Sequence, residues 1–265
     1  MDDPSNHTAR KFRQLRNQLR DVAIAGIFLT RIPFRVSGDF ETRDLSRAVW
    51  AFPLMGVIVG GLSGAALMLS AELDLHPLAC AFIALAVSAL ITGALHEDGL
   101  ADVVDGFGGG ISREAKLRIM RDSQIGSYGV LALIFCVGLK AALLAGLLGP
   151  GMAAATLMGA AVLSRGLLPG MMYLMPRART DGLAGSAGRP NGWSTILSLC
   201  LGICLAWPFL GLWAGFVAII AALISMLIMA FIAHRQIGGY TGDVLGATQQ
   251  IVEISVFMTA GAFAI

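Results

Sequence analysis

The sequence predicts an all-α, polytopic helix bundle embedded in a lipid bilayer, and three observations carry that prediction. The chain of 265 residues is 56% hydrophobic, with a mean hydropathy of +0.75, which sets it apart from soluble domains. Only 14% of its residues are charged. Its apolar residues gather into windows of roughly 20, the length an α-helix needs to cross a hydrocarbon core about 30 Å thick. Seven windows qualify: 48–71, 77–95, 130–149, 151–175, 194–210, 212–233 and 244–265. Pro150 and Pro208 are expected in tight turns between neighbouring spans, because proline removes a donor and clashes inside a helix. The whole chain, 1–265, reads as one integral membrane domain with a basic amphipathic segment over 1–21.

Charge placement orients the bundle. Nine basic residues from Arg10 to Arg47 precede the first window, and four from Arg113 to Arg121 lie in 96–129. Arg177, Arg179 and Arg189 fall in 176–193, and Arg235 in 234–243. With seven alternating spans these all face one side, which the positive-inside rule makes cytoplasmic.

Taken in order, residues 1–21 repeat Phe12, Leu15 and Leu19 at helical spacing among arginines. That pattern suits either an anionic membrane surface or a solvated topogenic tail. No short apolar run ending in a cleavage-like site follows, so no secretory signal is expected. The stretch 22–34 is too short to span before Arg31 and Pro33 and reads as a partial or interfacial helix.

The chemistry concentrates in His96–Gly110, HEDGLADVVDGFGGG, where Glu97, Asp98, Asp102 and Asp105 fall within nine residues. Asp98, Asp102 and Asp105 share one helical face. Stacked like charges weaken a helix, so a cation is expected there. Hard carboxylate oxygens suit Mg²⁺ or Mn²⁺ better than zinc. The glycines Gly106 and Gly108–Gly110 lack a Cβ and would let a phosphate approach the backbone.

Residues 112–129 alternate Arg113, Lys116, Arg118 and Arg121 with apolar residues and predict a basic surface helix, then a Ser/Gly turn with Ser123 and Ser127. Beside bound metal, such a segment fits a polyphosphate. Lys140 and Arg165 lie inside apolar windows, where charge is costly and points to function. Arg165, near Ser164, Gly166 and Pro169, suggests an interrupted helix lining a polar cavity; Lys140 is assigned no role. Residues 176–193 are flexible in composition and suit a lid. The last window carries Asp243, Gln249, Gln250 and Glu253, a polar stripe serving either the site or helix-to-helix hydrogen bonds. Cys80, Cys136, Cys200 and Cys204 sit in apolar segments, where buried cysteine acts as a small hydrophobe; neither a disulfide nor a zinc site is expected. There is no Walker A sequence and no dinucleotide fingerprint.

Carboxylates, arginines and glycine turns together point to metal-assisted phosphoryl transfer at a membrane surface. The runs HEDGLADVVDGFGGG (96–110), RDSQIGSYG (121–129), LTRIP (29–33), FPLMG (52–56), LSR (163–165) and GYTGDVLGA (239–247) resemble the cobalamin synthase family, the adenosylcobinamide-GDP ribazoletransferases, in order from about residue 21 to the end. The resemblance implies a multi-pass inner-membrane enzyme that requires Mg²⁺. Such an enzyme joins adenosylcobinamide-GDP to α-ribazole or its 5′-phosphate and releases GMP. It places Glu97, Asp98, Asp102 and Asp105 on the metal. Arg121, Ser123 and Ser127 match the second motif and Asp243 with Glu253 the last. His96, Arg121, Ser123, Ser127, Arg165, Thr241 and Glu253 are expected to bind substrate, with Asp105, Asp122 or Asp243 available as a base.

The lipid bilayer is the expected surrounding, nucleic acid is not an expected partner, and self-association into a homo-oligomer stays open. A CDP-alcohol phosphotransferase would need an arginine after Asp98-Gly99 and a different acid spacing. A divalent-cation transporter would place its acids at midplane between inverted repeats.

Overall fold

In a computed structural model, which describes residues 4–36, 43–179 and 188–264, the chain is helical throughout. Among the described residues one isolated bridge, Arg177 with Tyr240, stands in for sheet structure. The helices are α1 (Pro4–Leu29), α2 (Arg43–Ala48), α3 (Phe52–Glu72), α4 (Pro77–Thr92), α5 (Leu95–Gly109), α6 (Arg113–Ile119), α7 (Ser127–Ala145), α8 (Pro150–Leu174), α9 (Gly192–Leu210), α10 (Leu212–Ile237) and α11 (Gly242–Phe263). A 3₁₀ turn, Val49–Ala51, joins α2 to α3.

Among the described residues five stretches are long and apolar enough to cross a membrane: Asp44–Glu72, α7, α8, α9 and α10. Helices α4 and α5 meet at 90° and add a sixth if they form one broken span. The expected count of seven is not reached, because α11 does not qualify among the described spans. Its Asp243, Gln249, Gln250 and Glu253 lower its hydropathy. It can carry them because Gln249, Gln250 and Glu253 are buried within the bundle rather than facing lipid. The α4–α5 break is made by Gly93 and Ala94, both left-handed with φ of 65° and 56°. That conformation costs an alanine about 1–2 kcal/mol.

Close approach of backbones builds the centre. Gly56 and Gly60 of α3 lie against α8, where an added Cβ would stand 2.5 Å from the Ala161 carbonyl oxygen and 2.8 Å from the Met158 Cα. Gly166 of α8 faces Gly202 of α9 in the same manner, at 2.8 Å. Small residues at such contacts let dispersion and polar contacts replace the hydrophobic drive that lipid removes. The outward faces carry Phe135, Leu227 and Phe231, all exposed and apolar. Cys200 and Cys204 are exposed on α9, not buried, whereas Cys80 and Cys136 are buried; all four are free thiols.

Several local expectations change. Residues 4–29 form one helix, so the segment expected over 22–34 is the second half of α1. Pro150 opens α8 after Gly149, but Pro208 sits inside α9 and the turn falls at Gly211, φ 77°. Pro169 does not interrupt α8, which runs through it. A hydroxyl from α9 supports the backbone there, Ser198 donating to the Gly166 carbonyl at 3.1 Å. The basic surface helix shrinks to the seven residues of α6. The lid expected over 176–193 falls partly outside the described residues, and Asp181 with it.

Candidate functional site

Helix α5 carries the acids from the interior to one end of the bundle. Its first turn packs on α11 with almost no side chain between them. A Cβ on Gly99 would meet the Asp243 backbone at 2.8 Å, and one on Gly246 the His96 Cα at 3.2 Å. Its last turns reach the start of α7, where the Asp105 carboxylate accepts the backbone N–H of Gly126 at 2.7 Å and of Gly129 at 2.8 Å. Asp105 thus caps α7, satisfying donors that every helix N-terminus leaves open. Asp98, Asp102 and Asp105 therefore run along α5 toward the start of α7.

Asp98 is exposed, Asp102 half-buried and Asp105 buried. Partial burial, then the nearby carboxylates of Asp98, Asp243 and Asp105, push the Asp102 carboxyl up to about 7, with Arg179 pulling the other way. Asp243 opens α11 after the cap residue Thr241, whose hydroxyl accepts the Val244 N–H at 3.3 Å and donates to Asp243 at 3.1 Å. Arg179 pairs with the same Asp243 oxygen at 3.1 Å.

Beside these acids lies a cleft of about 370 Å³ lined by Asp98, Asp102, Met120, Arg121, Asp122 and Ser123. Asp122 spends one oxygen on the Gln124 N–H at 3.0 Å, an Asx turn that shapes the cleft's far wall. Ser127 is exposed at the first turn of α7 and does not line this cleft. The glycines after Asp105 serve packing instead of a phosphate cradle. Gly106 lies under Met120, and Gly110 against Lys116, because α5 continues helical to Gly109 and α6 folds back on it.

Four predicted residues, His96, Glu97, Arg165 and Glu253, belong to a separate, interior constellation. Glu253 of α11 pairs with Lys140 of α7 at 2.6 Å and with Arg165 of α8 at 3.2 Å, all three buried. Gln249 donates to Glu253 and to Ser164. Lys140 also donates to Gln250 at 2.9 Å, and Gln250 donates to Glu97 at 3.0 Å. His96 is also buried. The second oxygen of Glu97, the Nε2 of His96 and the Nε of Arg165 are buried without a hydrogen-bond partner. Arg165 and Glu253 thus lie away from the acidic cleft, and Glu97 turns from the other acids toward Gln250.

The structure brings Asp98, Asp102, Arg121, Asp122 and Ser123 together at the cleft, and sets Asp243 with Thr241 beside it, close enough for the Asp243 charge to act on Asp102. It sets His96, Glu97, Arg165 and Glu253 inside the bundle. Sequence reasoning missed Arg179, which carries no periodic signal in its loop, and left Lys140 unassigned although a charge inside an apolar window was itself a signal. Among the described residues no three His, Cys, Asp or Glu side chains are gathered as a ready metal cage. The donor set still fits Mg²⁺, which keeps several waters and is bound through one or two carboxylates plus substrate phosphates; Asp98, Asp102 and Asp243 offer only hard oxygens.

Residues 21–261 match the family described as cobalamin-5-phosphate synthase. A relative named adenosylcobinamide-GDP ribazoletransferase from Bradyrhizobium diazoefficiens is 44% identical over 249 residues, covering 94% of this chain and 96% of its own length. Proteins of the same name from Azorhizobium caulinodans and Rhizobium etli are 44% and 42% identical, covering 91% and 89% of this chain and 94% of each relative. No solved structure matches.

Proposed function

The chain belongs to the cobalamin-5-phosphate synthase family and is a transferase of cobalamin biosynthesis, in assembly of the nucleotide loop; on that premise we propose its reaction and its site. It joins adenosylcobinamide-GDP to α-ribazole or α-ribazole 5′-phosphate and releases GMP, in a Mg²⁺-dependent step. The observation that carries this reading is a cleft lined by Asp98 and Asp102 together with Arg121 and Ser123, with Asp243 next to the acids on the neighbouring helix.

A ribose hydroxyl attacks the phosphorus on the cobinamide side of the diphosphate, the bond from that phosphorus to the bridging oxygen breaks, and GMP leaves. When bound, Mg²⁺ supplies charge neutralisation to the diphosphate oxygens and to the departing GMP. Asp98 and Asp102 would hold it, with Asp243 beside them across the α5–α11 contact. Arg121 and Ser123 bind phosphoryl oxygens from the opposite wall. Asp122 takes the hydroxyl proton, a small share of the barrier when alignment and neutralisation supply most of it. Asp105 holds α7, and through it the turn 121–126, in register with the acids. His96, Arg165 and Glu253 support the site from within.

The cleft opens at the end of the bundle that carries the basic loops, which supports a cytoplasmic site in a bacterial inner membrane. Purified protein given adenosylcobinamide-GDP, α-ribazole and Mg²⁺ is expected to release GMP and to stop when EDTA is added. Absence of GMP from active-site-competent, folded protein, or release unaffected by EDTA, would overturn the reading.

A further inference from the structure

We propose that Arg179 is a diphosphate-binding residue that holds Asp243 in the resting site and exchanges that carboxylate for phosphate when cation and substrate enter. The proposal rests on the reading of the cleft as a cation and diphosphate site.

Arg179 follows α8 by five residues, and three sets of bonds deliver it to α11. The Tyr240 N–H donates to the Pro176 carbonyl at 3.0 Å, and the Ala178 N–H to the Tyr240 carbonyl at 2.9 Å. Arg113 of α6 clamps both strands of this contact, donating to the Ile237 carbonyl at 2.8 Å and the Ala178 carbonyl at 2.6 Å. Gly239 makes the crossing, since a Cβ there would stand 2.9 Å from the Ala178 nitrogen. So much backbone bonding around one short segment fixes where the Arg179 side chain begins.

Its far end is only partly used. One guanidinium nitrogen meets Asp243 at 3.1 Å, while the other, NH1, is buried with no hydrogen-bond partner among the described residues. A guanidinium offers five donors in a planar fork that matches two phosphoryl oxygens. A buried, unpartnered donor on a cation marks a place prepared for an acceptor. The acceptor it meets now, Asp243, lies within electrostatic reach of Asp98 and Asp102, the two carboxylates that line the cleft and would take the divalent cation. With Asp98, Asp102 and Asp243 against Arg179, the formal charge is −2, which one divalent cation cancels. A diphosphate arriving with that cation restores negative charge, and Arg179 turns to it. Arg179 and the cation therefore compete for Asp243 in the empty site and cooperate once diphosphate is bound.

The test uses the full chain in detergent or nanodiscs, with Mn²⁺ and GDP as probes, comparing wild type with R179Q and R179K after both elute as folded, monodisperse protein. If wild type binds neither probe, the cation and diphosphate reading itself fails. If it binds both, R179Q is expected to weaken GDP binding in Mg²⁺ at least tenfold and to tighten Mn²⁺ binding without nucleotide several-fold. R179K keeps the charge without the fork, so it is expected to restore wild-type Mn²⁺ affinity but only part of the GDP affinity. GDP affinity within twofold of wild type in R179Q, Mn²⁺ binding that weakens or stays constant, or full GDP recovery in R179K would each overturn the proposal. Should R179Q fail to fold, R179K decides alone by the same two measurements.

Discussion

Replacing Lys140 by Met removes one partner of a buried carboxylate while nearly preserving volume. Glu253 keeps Arg165 at 3.2 Å and Gln249, but loses its shorter contact at 2.6 Å. Breaking a buried ion pair on one side costs about 3–5 kcal/mol. The surviving Arg165 places this case near the lower end, about 3 kcal/mol. For a chain of this size 1 kcal/mol moves the melting midpoint by about 2–4 °C, so Lys140→Met should lower it by roughly 6–12 °C. Gln250, which accepts a hydrogen bond from Lys140 and donates one to Glu97, also loses an anchor, so the acidic helix loosens. Thermal unfolding of purified protein in detergent, followed by loss of helical signal, measures the shift. The double variant Lys140→Met with Glu253→Gln should be less stable than the single, because it strips the buried Arg165 of the carboxylate it pairs with. A shift under 2 °C in the single variant, or a double variant more stable than the single, would refute the ion-pair reasoning.

Asp102→Asn should fold normally yet lose at least a hundredfold in GMP release, since it removes a carboxylate facing the cleft without touching the packing; wild-type turnover would contradict this. Asp105→Ala should act in the opposite sense, costing about 3 kcal/mol of stability through two charge-assisted bonds to the start of α7; unchanged thermal stability would remove its capping role. The raised Asp102 carboxyl, about 7, predicts a pH effect. Below that value Asp102 holds a proton that a divalent cation must displace, so the half-saturating Mg²⁺ concentration should rise roughly tenfold from pH 8 to pH 6. A flat Mg²⁺ requirement across that range would show that Asp102 is not a ligand.

The membrane bundle was legible because apolar windows and basic loops are signals of composition, and both survive in any packing. The helix over His96–Gly109 was legible from the spacing of Asp98, Asp102 and Asp105. What spacing could not show is which carboxylate spends its oxygens on backbone. Asp105 does, through contacts with Gly126 and Gly129 more than twenty residues away. The sequence put Asp243, Gln249, Gln250 and Glu253 in one polar stripe, yet Asp243 at the start of α11 stands by the cleft while the other three pair inside the bundle. The glycines after Asp105 were misassigned for a similar reason: no Cβ suits a phosphate and a neighbouring segment equally, and Gly106 meets Met120 while Gly110 meets Lys116. Count and burial failed where they depended on neighbours, as with α11, whose polar side chains are tolerated only because α7 and α8 answer them. Arg179 had no local signal at all, since its place depends on Tyr240 pairing with Pro176 and Ala178.

The central claim, that Asp98 and Asp102 bind a divalent cation which in turn holds a diphosphate, is tested most directly by Mn²⁺ titration followed by electron paramagnetic resonance, with and without GDP. Wild type should bind Mn²⁺ more tightly when GDP is present, and the double variant Asp98→Asn with Asp102→Asn should lose that binding while remaining folded. Equal Mn²⁺ binding in wild type and double variant, or no coupling to GDP, would contradict the account.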